Sequence, residues 1–484
     1  MTSKSSQQEA EFGSRVRMSS IEAFHLHSAT EAWPNCITGR FHFRGLVDIE
    51  LAKQAWFHCL SRQTFAAWEV DTRGRAKWNV TTDDGRLRRL ADATFHEIPF
   101  EEPKWPTCET EHSLPDMNDR GLPAIEVSKD AGYGLWCVRS EIEDRTTIFF
   151  SADHTLGDGA GALGFAREFM IVYHNLVNQE DINRGLVKLD WHRWKSRSAL
   201  GLFKWSFLKF LPCQAIGLFG ATKFVFRKFS TIEPAEKSES TDFKSPGMIG
   251  HTISPRILDE LNDRSERLGV SPNSILMTVL FRVMNQVRTA VDADTSPTSQ
   301  WIDRKWIRLV LPISIRSLAD RKLPCTNKAS LVQIERTLEQ VANADGAAQT
   351  IDREVRIIMG FKLDFVFLIA IRMISVFPAL LRFVAGNQKS RGTAVFTNLG
   401  EPFRKTRTCN FRTVGNVELV DYDLCGPIRC GTPINFSWLT FRRPVEDQLK
   451  VHARVSLHFD RSIVSAEAAQ SILHAFVKEL QDIV

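Results

Sequence analysis

Residues 148 to 164 read IFFSADHTLGDGAGALG, and two incompatible chemistries can be read from them. Gly159, Gly161 and Gly164 form a G-x-G-x-x-G after an apolar strand, the pattern of a loop that cradles a dinucleotide pyrophosphate. His154, Asp158 and Gly159 form an H-x-x-x-D-G, which sets an imidazole at a strand end where it could serve as a general base. A dinucleotide fingerprint needs a parallel strand-helix-strand unit with an acidic residue about 20 positions on. Here the preceding strand, TTIFFSAD (146–153), reads as half of a hairpin with LWCVRSEI (135–142), and no buried strand follows Glu180 and Asp181. Antiparallel pairing does not build the required crossover. The glycines are then explained by close approach of helix and strand backbones, and the informative residue is His154.

The rest of the chain is consistent with a large globular protein. Its 484 residues are 43% hydrophobic and 25% charged, enough for two domains or two similar halves. The net charge of +5 comes with basic clusters such as RLRR (86–89) and RKTR (404–407). No nucleic-acid-binding signature accompanies them, so they read as solvated faces, with a phosphorylated acyl carrier still a compatible partner. Nine cysteines stand singly, without disulfide or metal-ligand spacing, which fits reduced thiols in a cytoplasmic protein and no metal. Residues 1–19 read as a flexible polar tail rather than a signal peptide, and no stretch is long and apolar enough to span a membrane.

Along the chain, ITGRFHFRG (37–45) alternates as a strand, and Asp48 caps a helix carrying Leu51, Ala55, Cys59 and Leu60 at core spacing. The hairpin and a helix from about Ala160 to Val177 complete a mixed, largely antiparallel α/β layer over 20–190. Residues 191–248 read as a crossover and linker with a basic, aromatic segment. Within 249–484 the same grammar returns: helices at 255–268 and 272–289, strands at 307–314, 392–398 and 450–460, and a closing helix from about Ser465 that buries Ile472, Phe476 and Leu480.

These motifs resemble the superfamily of condensation domains, BAHD enzymes and chloramphenicol acetyltransferases, and most of all its wax-ester synthase/diacylglycerol acyltransferase branch. DHTLGDG (153–159) is similar to the superfamily's H-H-x-x-x-D-G, LPISIRS (311–317) to its Pro-Val-Ser-x-Arg strand, SPNSILMTVLFRVM (271–284) to its Asn-Asp helix start, and FTNLGEPF (396–403) to its Asn-containing loop. The resemblance implies two chloramphenicol-acetyltransferase-like α/β halves with an active-site tunnel between them. It implies His154 as the general base for attack of a hydroxyl on the thioester of an acyl-CoA or acyl carrier protein, with coenzyme A or phosphopantetheine as co-substrate and no permanently bound cofactor. Asp158 would turn away from substrate and pair with Arg316, and Gly159 would permit the turn beneath them. Asn273, Asn398 and Asp153 are candidate substrate contacts; Asn273 as a helix N-cap and Asn398 as a turn residue are the competing roles.

Two positions depart from the pattern. Asp153 replaces the first histidine of the motif, and Ser274 replaces the aspartate after Asn273. An amide-forming condensation enzyme and a catalytically degenerate binding protein of the same fold are the alternatives. Two apolar segments, 199–226 and 361–385, are interrupted by lysines and arginines. The second reads as core packing; the first reads as a surface or tunnel mouth, through which peripheral contact with a membrane is expected.

Overall fold

A computed structural model describes residues 14–30, 33–80, 83–99, 132–197, 208–234, 246–293, 299–302, 304–387, 391–405, 409–429, 431–445 and 448–484. The chain opens with β1 (Arg15–Arg17), α1 (Ser20–Ser28), β2 (Cys36–Arg44), α2 (Ile49–Arg62), β3 (Glu69–Asp71), β4 (Lys77–Asn79) and α3 (Asp84–Thr94). Strands β5 (Phe95–Pro99), β6 (Tyr133–Ser140) and β7 (Arg145–Asp153) lead into α4 (Gly159–Val177), α5 (Trp191–Lys195), α6 (Leu211–Phe226) and β8 (Thr231–Pro234). Then come β9 (Gly247–Ile253), α7 (Pro255–Leu268), α8 (Pro272–Ala293), β10 (Ser299–Ile302), β11 (Ile307–Ser314), β12 (Ala329–Arg336), α9 (Leu338–Val341), α10 (Ala344–Gly360), α11 (Val366–Ile374) and α12 (Pro378–Ala385). The chain closes with β13 (Ala394–Gly400), β14 (Thr413–Val414), β15 (Val417–Cys425), β16 (Ile434–Val445), β17 (Gln448–Phe459) and α13 (Ala466–Ile483).

Two six-stranded sheets organise these elements. The first has the order β14-β15-β2-β7-β6-β5, antiparallel except where β5 meets β6; the second has the order β12-β11-β13-β16-β17-β9, with β13 parallel to both its neighbours. These are the mixed, largely antiparallel layers expected from the strand patterns. Strand β7 is antiparallel to both β2 and β6, so the loop after it closes no parallel crossover and cannot be a dinucleotide fingerprint. Each sheet buries its own apolar cluster. On the first, Trp56 of α2 meets Phe165 and Phe169 of α4 edge to face. On the second, Ile472, Phe476 and Leu480 of α13 are buried at helical spacing.

Three expectations need correction. Residues 15–17, assigned from their polarity to a tail, form a strand against Lys77–Asn79, because Val16 packs onto the first core. Residues 413–425, from the later part of the chain, lie in the first sheet, where Tyr422 pairs opposite Phe41. The segment 361–385 is not simply core. Leu368, Ile371 and Leu381 are buried, whereas Met373, Phe377 and Phe383 are exposed, since short helices packed on one side cannot bury apolar residues on both.

Strand β15 carries the charge that ties the sheets together. Asp423, fully buried, accepts from Arg40 Nε and Nη2 of the first sheet at 2.9 and 2.6 Å and from Arg454 Nε of the second at 2.9 Å, with the Ser456 hydroxyl as a further donor. Burial alone would raise the carboxyl, but Arg454 and Arg40 hold it well below the ordinary carboxylate range. Removing one member of such a buried set leaves the other charges unpaired in low dielectric. Asp423→Ala should therefore cost about 3–5 kcal/mol in denaturant unfolding; a loss under about 1 kcal/mol, the level of a surface ion pair, would show that the network does not hold the sheets.

Candidate active site

His154 follows the last residue of β7, and its surroundings come from four segments. Its backbone N–H donates to Asn35 O at 2.7 Å, which anchors it beside β2. Asn327, just before β12, donates its side-chain NH2 to His154 O at 2.7 Å and to Thr155 O at 3.2 Å. With the amide nitrogen committed to two carbonyls, Asn327 Oδ1 faces His154 Nδ1 at 3.2 Å as an acceptor. The imidazole therefore carries its proton on Nδ1 and keeps the lone pair of Nε2, the tautomer a general base needs.

A second histidine covers the ring. His25 of α1 stacks on His154 with centroids 3.9 Å apart and planes 12° from parallel. Its Nδ1 accepts from Asn35 Nδ2 at 3.0 Å and from Arg429 Nη2 at 3.1 Å, so its own proton sits on Nε2. Arg429 Nη2 also donates to Asn35 Oδ1 at 3.1 Å. Burial, then Arg429, pushes His154 down to about 4, against smaller opposing effects of Asp158 and Asn327. Burial, followed by His154 and Arg429, takes His25 well below the ordinary imidazole value. Both rings are neutral at neutral pH. Arg429 itself is lowered to about 9 by burial and by Arg391, and among the described residues neither arginine has a carboxylate within ion-pair distance.

Asp158 and Arg316 are brought together. Arg316 Nη2 donates to Asp158 Oδ1 at 2.7 Å and to Thr326 O at 2.5 Å. Asp158 is also the N-cap of α4, accepting Gly161 N–H on Oδ1 at 2.8 Å, and its Oδ2 accepts Lys328 N–H at 2.7 Å. One carboxylate thus fastens the start of α4 to the segment that holds Asn327. The glycines act differently from the expected turn at Gly159. A Cβ on Gly159 would make only ordinary contact, 3.4 Å from Leu399, whereas one on Gly157 would lie 2.1 Å from Cys325 Sγ and one on Gly161 2.9 Å from it. The conformation at Gly159 needs no glycine; the close approach of the 325–326 backbone does need Gly157 and Gly161.

The remaining candidates lie elsewhere. Asp153 is 5% exposed, accepts Thr155 N–H at 2.7 Å and is pushed up to about 6 by burial, so it is sealed into the strand end rather than offered to substrate. Asn398 Nδ2 donates to Asn273 Oδ1 at 2.6 Å, an exposed bridge between β13 and the first turn of α8 with no contact to His154. Ser271, whose Oγ accepts Ser274 N–H at 3.3 Å, caps α8, so Asn273 is not the N-cap. Asn398 fits the turn role, its Oδ1 accepting Gly400 N–H at 2.8 Å. Ser274 is buried and donates to Asp352 of α10 at 3.1 Å. His25, Asn35, Asn327 and Arg429 were not singled out from the sequence, since none belongs to a local motif.

Two sets of variants probe this geometry. Gly157→Ala should destabilise by about 1–3 kcal/mol through overpacking, while Gly164→Ala, with nothing within 4 Å of the added Cβ, should be neutral or stabilise by up to about 1 kcal/mol; equal urea midpoints for the two would refute the packing account. Asp153 has its folded pKa above the unfolded one. Its contribution is thus favourable below about pH 4 and is lost as pH rises through about 6, where the buried carboxylate ionises. Melting curves of Asp153→Asn and wild type should coincide near pH 4, diverge between about pH 4 and 6 and stay apart above, with the variant more stable by up to about 3 kcal/mol; a less stable variant at about pH 8 would contradict this sign.

No family model and no curated protein sequence matches the chain. Solved structures do. The first condensation domain of the calcium-dependent antibiotic synthetase, in complex with a substrate analogue, superposes with a TM-score of 0.64 at 10% identity, covering 98% of this chain and 96% of that one. The TRI3 trichothecene 15-O-acetyltransferase from Fusarium sporotrichioides gives 0.64 at 13% identity over 96% and 94%. The starter condensation domain of rhizomide synthetase, in complex with C8-CoA, gives 0.58 at 11% identity over 99% and 96%. The chain has the two-lobed, chloramphenicol-acetyltransferase-like fold that these condensation domains share with an acetyltransferase.

Proposed function

We propose that this protein transfers an acyl group from a thioester of coenzyme A or a phosphopantetheine carrier to a hydroxyl acceptor, with His154 as general base. The observation that carries this reading is the tautomer lock: Asn327 commits Nδ1 as a donor and leaves Nε2 free to take a proton. The hydroxyl oxygen attacks the thioester carbon while Nε2 receives its proton. The tetrahedral oxyanion collapses, the carbon–sulfur bond breaks, and the imidazolium protonates the leaving thiolate, giving an ester and a free thiol. A base lowered to about 4 is neutral at working pH, and its conjugate acid returns the proton readily. Arg429 adds positive potential beside the ring, which favours a developing oxyanion.

An amine acceptor, giving amide formation, is the second reading, because a condensation domain superposes as well as the acetyltransferase. Thiol release from acyl-CoAs of graded length, offered with pooled alcohols or pooled amines, separates the two. Turnover should need an alcohol and fall by about 10²-fold or more in His154→Ala, the scale of general-base catalysis. Turnover with amines alone would select condensation, undiminished turnover in the variant would remove His154 as base, and no turnover by either protein with any donor would favour the binding protein.

A further inference from the structure

Sixteen large apolar side chains stand exposed on the described surface, and eleven of them fall on α6, the end of α10, the turn after it, α11, α12 and the turn between these last two. Phe219 and Phe226 of α6 are each 81% exposed, and Phe383 of α12 is 71% exposed. Scattered exposed residues need no explanation, but a contiguous set does. Contiguity follows from the packing. Gln214 of α6 donates to the carbonyls of Phe361 and Lys362 at 3.3 and 2.9 Å, and Gly217 lets α6 close on Val366, which a Cβ there would meet at 2.6 Å. On their other side α11 and its end rest on α1, through Phe24 against Phe367 and a hydrogen bond between the Ser20 and Ser375 hydroxyls.

Within the segments that carry this set the charges are almost all positive. From Trp191 to Ile232 the sequence has eight Lys and Arg and no Asp or Glu. From Val355 to Ala385 it has four Lys and Arg and one acid, Asp364, which is buried. Lys223, Arg372 and Arg382 are exposed among the aromatic residues. None of the helices in the described residues is long and apolar enough to cross a bilayer. Apolar rings to enter the acyl boundary, with exposed cations beside them to meet lipid phosphates, suit a helix lying in a membrane interface.

We propose that α6, α11, α12 and the turn at 361–365 form a face that docks this protein on the surface of an anionic bilayer. The face borders α1, the helix that carries His25, and docking there stands apart from the acyl-transfer reading, since its test uses no catalysis. The test is co-sedimentation of the full chain with vesicles of phosphatidylcholine alone or mixed equally with phosphatidylglycerol. Binding should favour the anionic vesicles and weaken as salt is raised. The double variant Phe219→Glu/Phe383→Glu should lose about tenfold or more in affinity for them, with an unchanged melting temperature, because both side chains project into solvent. Lys223→Glu/Arg382→Glu should weaken binding to anionic vesicles while leaving binding to phosphatidylcholine alone unaltered. No binding to either vesicle, or equal binding by wild type and the phenylalanine variant, would overturn the proposal. Wild-type self-association that the phenylalanine variant abolishes, without vesicle binding, would assign the face to a second copy of the chain instead.

Discussion

The candidate site depends on the Asp158 carboxylate. It accepts from the first turn of α4, from the Arg316 guanidinium and from the Lys328 backbone. Without it, the motif loop of the first sheet and the 325–328 segment before β12 would be joined by the amide of Asn327 and the Asp158 N–H to Thr326 O bond, with no charged contact between them. That segment brings Asn327 to the imidazole, so the tautomer of His154 follows indirectly from a salt bridge that does not touch the ring. Gly157 and Gly161 serve the same junction from the packing side, by leaving no atom where Cys325 and the Thr326 backbone must sit.

Charge is handled differently at the two places where the sheets meet. At Asp423 two guanidiniums and a hydroxyl compensate one buried carboxylate, which gives a rigid structural joint. At His154 the cations outnumber the anions. Arg429 lies against the His25–Asn35 pair with no carboxylate at ion-pair distance among the described residues, and its field adds to burial in keeping both imidazoles neutral. A joint that needs only strength is neutralised, whereas the His154 junction retains positive potential, which under the proposed reaction would favour a transient negative charge.

Much of the architecture was legible in the residues. The alternation in β2, β7 and β17 and the helical spacing of α2 and α13 follow from side-chain period alone. The hairpin pattern alone argues against a dinucleotide loop. The membership of β15 in the first sheet was not legible, because strand pairing across some 380 positions leaves no mark on local pattern. Exposure of the 361–385 helices was hidden for a related reason: an apolar residue reads the same whether it faces a core or solvent.

For the candidate site, the sequence by itself determined which side chain stands at the strand end, since an imidazole followed by Asp-Gly is a local motif written by neighbours in the chain. Only the tertiary structure decided how that imidazole is held. Asn327, His25 and Arg429 lie 173, 129 and 275 positions away in sequence, and each acts through a directional contact with the ring or with its stacked partner. Hydrogen bonds and ring stacking are set by positions in space to within tenths of an ångström, and separation along the chain carries no information at that scale.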